Sequence, residues 1–468
     1  MSDRRQALYD RIRASSKDEV ILEEMIRFGF WPAAGLPGDP AEEVRRQGEL
    51  QQRLTALRAE RDKLANVNEL RREARKQRLR ASKDKRRETK ARRLRERAAR
   101  AAAWRARQAL ELTFLGAEVS GGMQDTTCDR ARLAAQGLPA FATAAEVAQA
   151  MGITVGELRF LAFARRASRI SHYRRFTMPK KSGGVRAISA PMPRLKRAQH
   201  WLLAQILAKV PTHDAAHGFC AGRSIVTNAR PHVGAAVVVN LDLQDFFPTV
   251  ELPRVKGLFR ALGYGEQVAT AFALLATEPV TEAVELDGQV WHVAASAAAR
   301  RLPQGSPASP AITNLLCRRL DRRLRGAATA LGFTYTRYAD DLTFSATAPA
   351  AVERAGKLLT QVRWLVGQEG FVVHPDKTRV LRRGRRQEVT GLVVNERLGV
   401  PRDQLRRFRA LLHHLDRRGL EGARWGASGD VLTSAAGFAS YVAMIDPVRG
   451  APLVAEVARL AARLAPAR

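Results

Sequence analysis

Residues 335–345 constrain this chain more than any other stretch. In Tyr335-Thr336-Arg337-Tyr338-Ala339-Asp340-Asp341-Leu342-Thr343-Phe344-Ser345, two short β runs flank a pair of adjacent carboxylates. The spacing predicts a β-hairpin with Asp340 and Asp341 at its tight connection. Adjacent carboxylates repel one another, and such a pair persists readily where divalent cations neutralise it. An acidic turn in solvent is the plainer reading, but a second site weighs against it. Ala235-Ala236-Val237-Val238-Val239-Asn240-Leu241-Asp242 reads as a buried apolar strand that ends in a carboxylate. Asp242 and the Asp340–Asp341 pair can converge on two Mg²⁺ ions, which activate a 3′ or 2′ hydroxyl and stabilise leaving pyrophosphate in phosphoryl transfer.

The charge balance points the same way. Lys and Arg number 79 against 46 Asp and Glu, a formal net charge of +33. That excess implies a polyanionic partner, nucleic acid first and an anionic membrane surface second. At 468 residues and 46% hydrophobic, the chain has the length of about three average domains and enough apolar content to fold. No run approaches the length of a membrane span, and Met1 to Arg13 carries no apolar stretch of the secretory kind. A cytoplasmic location without a membrane partner is the expectation. Cys128, Cys220 and Cys317 lie far apart with no Cys-x-x-Cys pair, as expected of reduced thiols rather than disulfides or structural zinc.

Along the chain, residues 17–30 read as a short amphipathic helix that the Pro- and Gly-rich stretch Trp31 to Pro40 ends. From Glu42 to Leu110 there is no proline, which predicts one long helix or two. Leu50, Leu54, Leu57 and Leu64 follow a seven-residue seam, but Arg61 and Asn68 interrupt it, short of a coiled coil. Residues 71–110 hold 18 basic and 4 acidic side chains, a basic arm suited to nucleic acid. Phe141 to Ala164 has a helix-turn-helix-like pattern, read here as an ordinary helical hairpin. Alternating strands, glycine turns and helices then occupy Ser171 to Asn395. Pro401 to Arg468 is helical, with Leu405, Phe408, Leu411, Leu412 and Leu415 at helical spacing.

Tyr338-Ala339-Asp340-Asp341 resembles the palm signature of the reverse transcriptases, and the likeness runs from about Arg169 to Pro447 with motifs in the family order. It implies an α+β, right-hand polymerase fold: fingers, a palm with an antiparallel sheet and a helical thumb, behind a long basic helical N-terminal extension. The expected divisions are an N-terminal helical segment (1–40), the basic arm (41–110), a helical linker domain (111–168), fingers and palm (169–395) and thumb (396–468). The resemblance implies that Asp242, Asp340 and Asp341 are catalytic and that the backbone carbonyl of Leu243 completes the metal shell. Arg174 to Ser189 looks like the fingers hairpin, whose Lys181 and Arg186 would grip the incoming triphosphate. Phe247 matches the steric gate that selects deoxyribonucleotides. Leu302-Pro303-Gln304-Gly305-Ser306-Pro307 resembles the segment beside the nucleotide sugar and template base, and Lys377 of His374-Pro375-Asp376-Lys377-Thr378 would approach the leaving phosphates.

Two further stretches resemble elements of the retron reverse transcriptases: Asn228-Ala229-Arg230-Pro231-His232, an Asn-Ala-x-x-His element, and Val389-Thr390-Gly391. They imply that Asn228, His232, Val389, Thr390 and Gly391 serve RNA or template recognition. The 73 residues after Asn395 suffice for a thumb but not for the maturase and endonuclease regions of mobile-intron enzymes. The retron likeness implies a structured non-coding RNA as template and primer, a guanosine 2′-hydroxyl as the first nucleophile, dNTP substrates and single-stranded DNA joined to RNA as product. It also implies two Mg²⁺ ions, a separately encoded effector and a part in anti-phage defence. The alternative is a group II intron-like or other defence-associated reverse transcriptase that primes from a 3′ end.

Overall fold

Asn66 divides the proline-free stretch in two. Its side chain accepts from the Glu69 backbone N–H at 3.3 Å and donates to the Glu69 carboxylate at 2.9 Å, so one helix ends at Ala65 and the next starts at Val67. Such a cap satisfies a donor that a continuing helix would have used. The structure, a computed structural model, describes residues 2–32, 40–180, 183–426 and 430–464. It separates into two units, Met1–Trp104 and Arg105–Arg468. The first holds helices Ser2–Ala14, Lys17–Arg27 and Pro40–Ala65 and most of Val67–Leu110. Val20 and Leu22 are buried, whereas Leu50, Leu54, Leu57 and Leu64 are all exposed and form no zipped seam.

In the second unit Thr143 and Thr154 cap helices Ala144–Ala150 and Val155–Ala162, the expected hairpin, which packs Val147, Leu158 and Leu161 into the main core. Strands β1 (Tyr173–Pro179) and β2 (Val185–Pro191) form a two-stranded hairpin. Four more strands make the central antiparallel sheet: β3 (Val237–Asp242), β4 (Thr334–Tyr338), β5 (Asp341–Ala346) and β6 (Arg379–Arg382), in the order β6-β3-β5-β4. Helices Arg402–Arg418, Val431–Ile445 and Pro447–Leu464 follow, and Phe408, Leu411, Leu412 and Leu415 bury as their spacing predicts. Among the described residues no helix is long and apolar enough to cross a membrane.

The apolar run of β3 is explained by two cores, one on each side of it. Val237, Val239 and Leu241 join the main core, while Val238 joins the core of the C-terminal helices. A strand covered on both faces needs no polar alternation. One charged side chain also enters the main-core side of the sheet. Arg337, fully buried in β4, forms a two-pronged ion pair with equally buried Asp321, Nε to Oδ1 and Nη2 to Oδ2 at 2.8 Å each. Its remaining nitrogen, Nη1, donates to Asn314 Oδ1 at 2.9 Å and to the Ala339 carbonyl at 3.0 Å. An isolated buried charge is prohibitive, so each partner requires the other. Asp321→Ala is therefore expected to cost about 3–5 kcal/mol in urea unfolding, and Asp321→Leu combined with Arg337→Met to recover much of that loss. A double variant no more stable than the single one would contradict this account.

Candidate active site

Strand register decides which side chains meet. Asp341 of β5 stands directly opposite Asp242 of β3 and, on its other side, opposite Tyr338 of β4. Residues directly opposite in an antiparallel pair share a face. Asp242, Asp341 and Tyr338 therefore lie on one face, with the pairs Asn240–Thr343 and Thr336–Thr343 behind them. Tyr335, Leu342 and Phe344 take the opposite face and enter the main core. Asp340 lies in the two-residue connection with Ala339, whose φ of +58° is a left-handed conformation uncommon without glycine. The turn is held from below by Arg337, and Gly218 packs against it so closely that a Cβ there would stand 2.6 Å from the Ala339 nitrogen. Leu243 donates its N–H to the Asp340 carbonyl at 3.0 Å and ties the hairpin to the end of β3.

These carboxylates crowd one another. Asp341 is pushed up to about 7, first by desolvation in the cleft and then by the charges of Asp340 and Asp242. The residue keeps some solvent access, so desolvation is partial and the charges of Asp340 and Asp242 add to it. Asp340 is raised as well, by burial and then by Asp242. Lys377 Nζ lies 2.8 Å from Asp242 Oδ1, and its charge pulls both other aspartates back down. Arg186, exposed on β2, does the same to Asp340.

The donor set is hard oxygen, suited to Mg²⁺, and the repulsion is what a divalent cation relieves. Among the described residues, however, no three His, Cys, Asp or Glu side chains are arranged as a ready metal cage. Mg²⁺ is commonly held by one or two carboxylates with substrate phosphates completing the shell. The residues fit that kind of site, rather than one in which all three aspartates enclose an ion unaided.

Around the carboxylates, Phe247 is half-buried, 5.4 Å from the ring of Phe246, which in turn packs 5.5 Å from Phe371. Phe246 is the core aromatic of the pair, as its 4% exposure shows. The Gln304 carbonyl accepts from Ser189 N–H at 2.8 Å. At Gly305, with φ +128°, a Cβ would come within 3.0 Å of Ile188 and of the Ser189 carbonyl. The close approach that this glycine permits is thus to β2 itself, and it ties the β1–β2 hairpin to the segment at 302–307. Lys181 lies outside the described residues.

The two retron-like elements lie largely beneath the surface. Asn228, His232 and Val389 are completely buried, so in this structure none can touch a template directly. His232 instead caps the polar face of the sheet: Nδ1 lies 2.6 Å from Ser345 Oγ in β5 and Nε2 2.8 Å from Thr336 Oγ1 in β4. Burial holds its pKa down to about 3, so the ring is neutral. The Asn228 side-chain amide has no hydrogen-bond partner among the described residues. Val389 packs in the C-terminal core, Thr390 takes φ +48°, and exposed Gly391 completes the turn at φ +81°. Thr390 Oγ1 reaches the Ile225 carbonyl at 3.5 Å, which brings this turn against the helix Ile225–Ala229 that carries Asn228. Both elements therefore join the sheet to the C-terminal helices, and Arg230, Pro231, Thr390 and Gly391 are their positions open to solvent.

Sequence reasoning passed over Arg337, Asp321, Asn314 and Gly218, the supports under the hairpin. A lone arginine inside an apolar strand was the available signal, since such a charge demands a partner. The crowding itself is measurable in metal-free chain. Between the unfolded carboxyl value near about 3.9 and about 7 in the folded chain, Asp341 holds a proton that the unfolded state has lost. Stability must therefore fall as pH rises through that window and level off above it. In EDTA, Asp341→Asn is expected to remove this part of the pH dependence of the urea midpoint; a profile identical to the parent's would rule out the crowding.

Comparison with known proteins agrees with this geometry. A family model for reverse transcriptase (RNA-dependent DNA polymerase) matches residues 178–400. The retron Mx162 reverse transcriptase of Myxococcus xanthus is 47% identical over 345 residues, which cover 71% of this chain and 69% of the relative. The retron Mx65 reverse transcriptase of the same organism is 47% identical over 69% of this chain and 73% of its own length. The retron Ec86 reverse transcriptase of Escherichia coli is 34% identical over 61% of this chain and 81% of its own length. With paired carboxylates at a palm-like hairpin and relatives of this closeness and coverage, the chain belongs to the retron reverse transcriptases and is an RNA-directed DNA polymerase.

Proposed function

We propose that this polymerase uses a structured non-coding RNA as both template and primer, begins on a guanosine 2′-hydroxyl, and makes single-stranded DNA joined to that RNA. The observation that carries the catalytic part is the register of β3 and β5, which sets Asp242 opposite Asp341, with Asp340 one residue away and coupled to both. Asp242, Asp340 and Asp341, with the Leu243 carbonyl, would hold two Mg²⁺ ions. Ions bound there would favour the deprotonated attacking hydroxyl and offset charge on the leaving pyrophosphate.

The chain's own residues do the rest. Lys377, paired with Asp242 in this structure, would be free to approach the nucleotide phosphates once that carboxylate is otherwise neutralised. Arg186 on β2, with Lys181 a few residues before it in sequence, binds the triphosphate through charge-assisted hydrogen bonds. Phe247, anchored on Phe246, presents its free edge where a ribose 2′-hydroxyl would stand, and Gln304 and Gly305 line the nucleotide site beside β2. In this reading residues 169–395 form fingers and palm and 396–468 the thumb, behind the segments 1–40, 41–110 and 111–168. The family likeness supports the further proposal of anti-phage defence with a separately encoded effector.

Asp340→Asn is expected to abolish Mg²⁺-dependent dNTP incorporation with RNA retention unchanged; continued synthesis would remove Asp340 from the metal site. Phe247→Ala is expected to admit ribonucleotides, and unaltered sugar selection would withdraw the gate. Sequencing the RNA–DNA junction decides the primer: a 2′,5′ branch supports this proposal, and a linear 3′ junction favours the intron-like alternative.

A further inference from the structure

Helix Val67–Leu110 spans 44 residues, about 66 Å at 1.5 Å per residue. It carries eighteen basic and five acidic side chains. They are not mixed evenly around it. Lys83, Arg86, Lys90, Arg93, Arg97, Arg100 and Trp104 follow one another at alternating steps of three and four. On a helix of 3.6 residues per turn these positions fall within an arc of about 100° and form one nearly straight stripe roughly 30 Å long. All seven are exposed. Glu69, Glu73, Asp84, Glu88 and Glu96 all lie off the stripe. Glu96 alone reaches its flank, 3.9 Å from Arg100 and 3.7 Å from Arg92.

From Lys83 to Arg100, consecutive members of the stripe are like charges three or four residues apart, an arrangement that opposes helix formation. A surface helix stabilised for its own sake would place its acids between those cations. Here the acids are held on the other side, and the repulsion is left for an external polyanion to relieve. The side away from the stripe carries Ala81, Ala91, Ala98 and Ala102 among the acids, with no large apolar face of the kind that a membrane-surface helix buries. Single-stranded nucleic acid is usually held by repeated aromatic stacking, and this stripe has only Trp104. A one-sided row of cations roughly 30 Å long can meet successive phosphates along one side of a stiff duplex. Double-stranded RNA is read mainly through shape and backbone, which demands no base-specific side chains from its partner.

We propose that the stripe from Lys83 to Trp104 is a one-sided docking face for the phosphate backbone of an RNA duplex, independent of sequence. The inference rests on the reading above only in taking RNA as the nucleic acid this chain handles.

The test compares two charge-matched variants of the full chain. One carries Arg86→Gln, Lys90→Gln, Arg93→Gln and Arg97→Gln, on the stripe. The other carries Arg78→Gln, Arg80→Gln, Arg87→Gln and Arg95→Gln, off it. Binding is measured to an RNA duplex of roughly 20 base pairs with arbitrary sequence, to a single-stranded RNA and to phosphatidylserine vesicles, each over a range of salt. Far-UV circular dichroism checks that both variants keep their helix. The stripe variant should lose about tenfold or more in duplex affinity, and the slope of log K against log salt should flatten by about three. The off-stripe variant should change far less in both. Equal losses in the two variants, no loss in either, single strands bound as tightly as duplex, or vesicles preferred to duplex would each overturn the proposal. Extension of a pre-annealed primer–template at saturating concentration is read in parallel. Its failure in the parent chain counts against the polymerase reading, whereas the stripe stands or falls on duplex binding.

Discussion

Mutual repulsion among three carboxylates is the constraint on which this site depends. The antiparallel register that sets Asp341 opposite Asp242 forces two negative charges onto one face, and the tight turn adds Asp340 beside them. Left alone, such a group protonates or spreads apart. The raised pKa values of Asp340 and Asp341, set first by desolvation and then by the neighbouring charges, go with the first tendency, and the backing of the hairpin resists the second. Lys377 supplies partial neutralisation within the chain. A site under this tension gains most from a cation arriving with its substrate, consistent with Mg²⁺ that shares its ligands between protein and phosphate.

The sheet that holds these groups serves two different environments. Its apolar side is packed like an ordinary interior, except where Arg337 and Asp321 bring a matched pair of charges beneath the turn. That pair is poor value as stability, because removing two ions from water offsets most of their attraction. Its geometric consequence is clearer: the same guanidinium that binds Asp321 also holds the Ala339 carbonyl, in the one residue of the hairpin whose backbone is left-handed. The polar side is closed by His232 across β4 and β5 and by Asn240, which bonds Thr343 and the Glu388 carbonyl. The two retron-like elements thus act on the catalytic strands from behind, through buried polar contacts and the joint with the C-terminal helices.

The basic helix is governed by different physics. The central sheet is organised by burial, and the arginine it takes into the core is paired with Asp321. Helix Val67–Leu110 buries almost nothing, and its order of side chains is intelligible only as a pattern of charge. That pattern weakens the free helix, which is sensible for a surface whose counter-charge is supplied from outside.

Much was legible from sequence alone, for a physical reason. Secondary structure follows periodicity and capping, so the hairpin about Asp340, the helix after Asn66 and the buried stripe of Phe408, Leu411, Leu412 and Leu415 could all be read or nearly read from local pattern. The carboxylate chemistry was legible too, because acids adjacent in sequence or ending an apolar strand are costly without a use. Tertiary structure alone decided what distant residues do to one another. Asn228, His232 and Val389 carry motifs that suggest surface contact, yet packing against β4, β5 and the C-terminal helices takes them out of solvent. The approach of Gly305 to β2, the pairing of Asp321 with Arg337 and the meeting of Lys377 with Asp242 span 16 to 135 positions of chain. No local rule encodes such contacts, because they exist only once burial and strand register have brought those segments together.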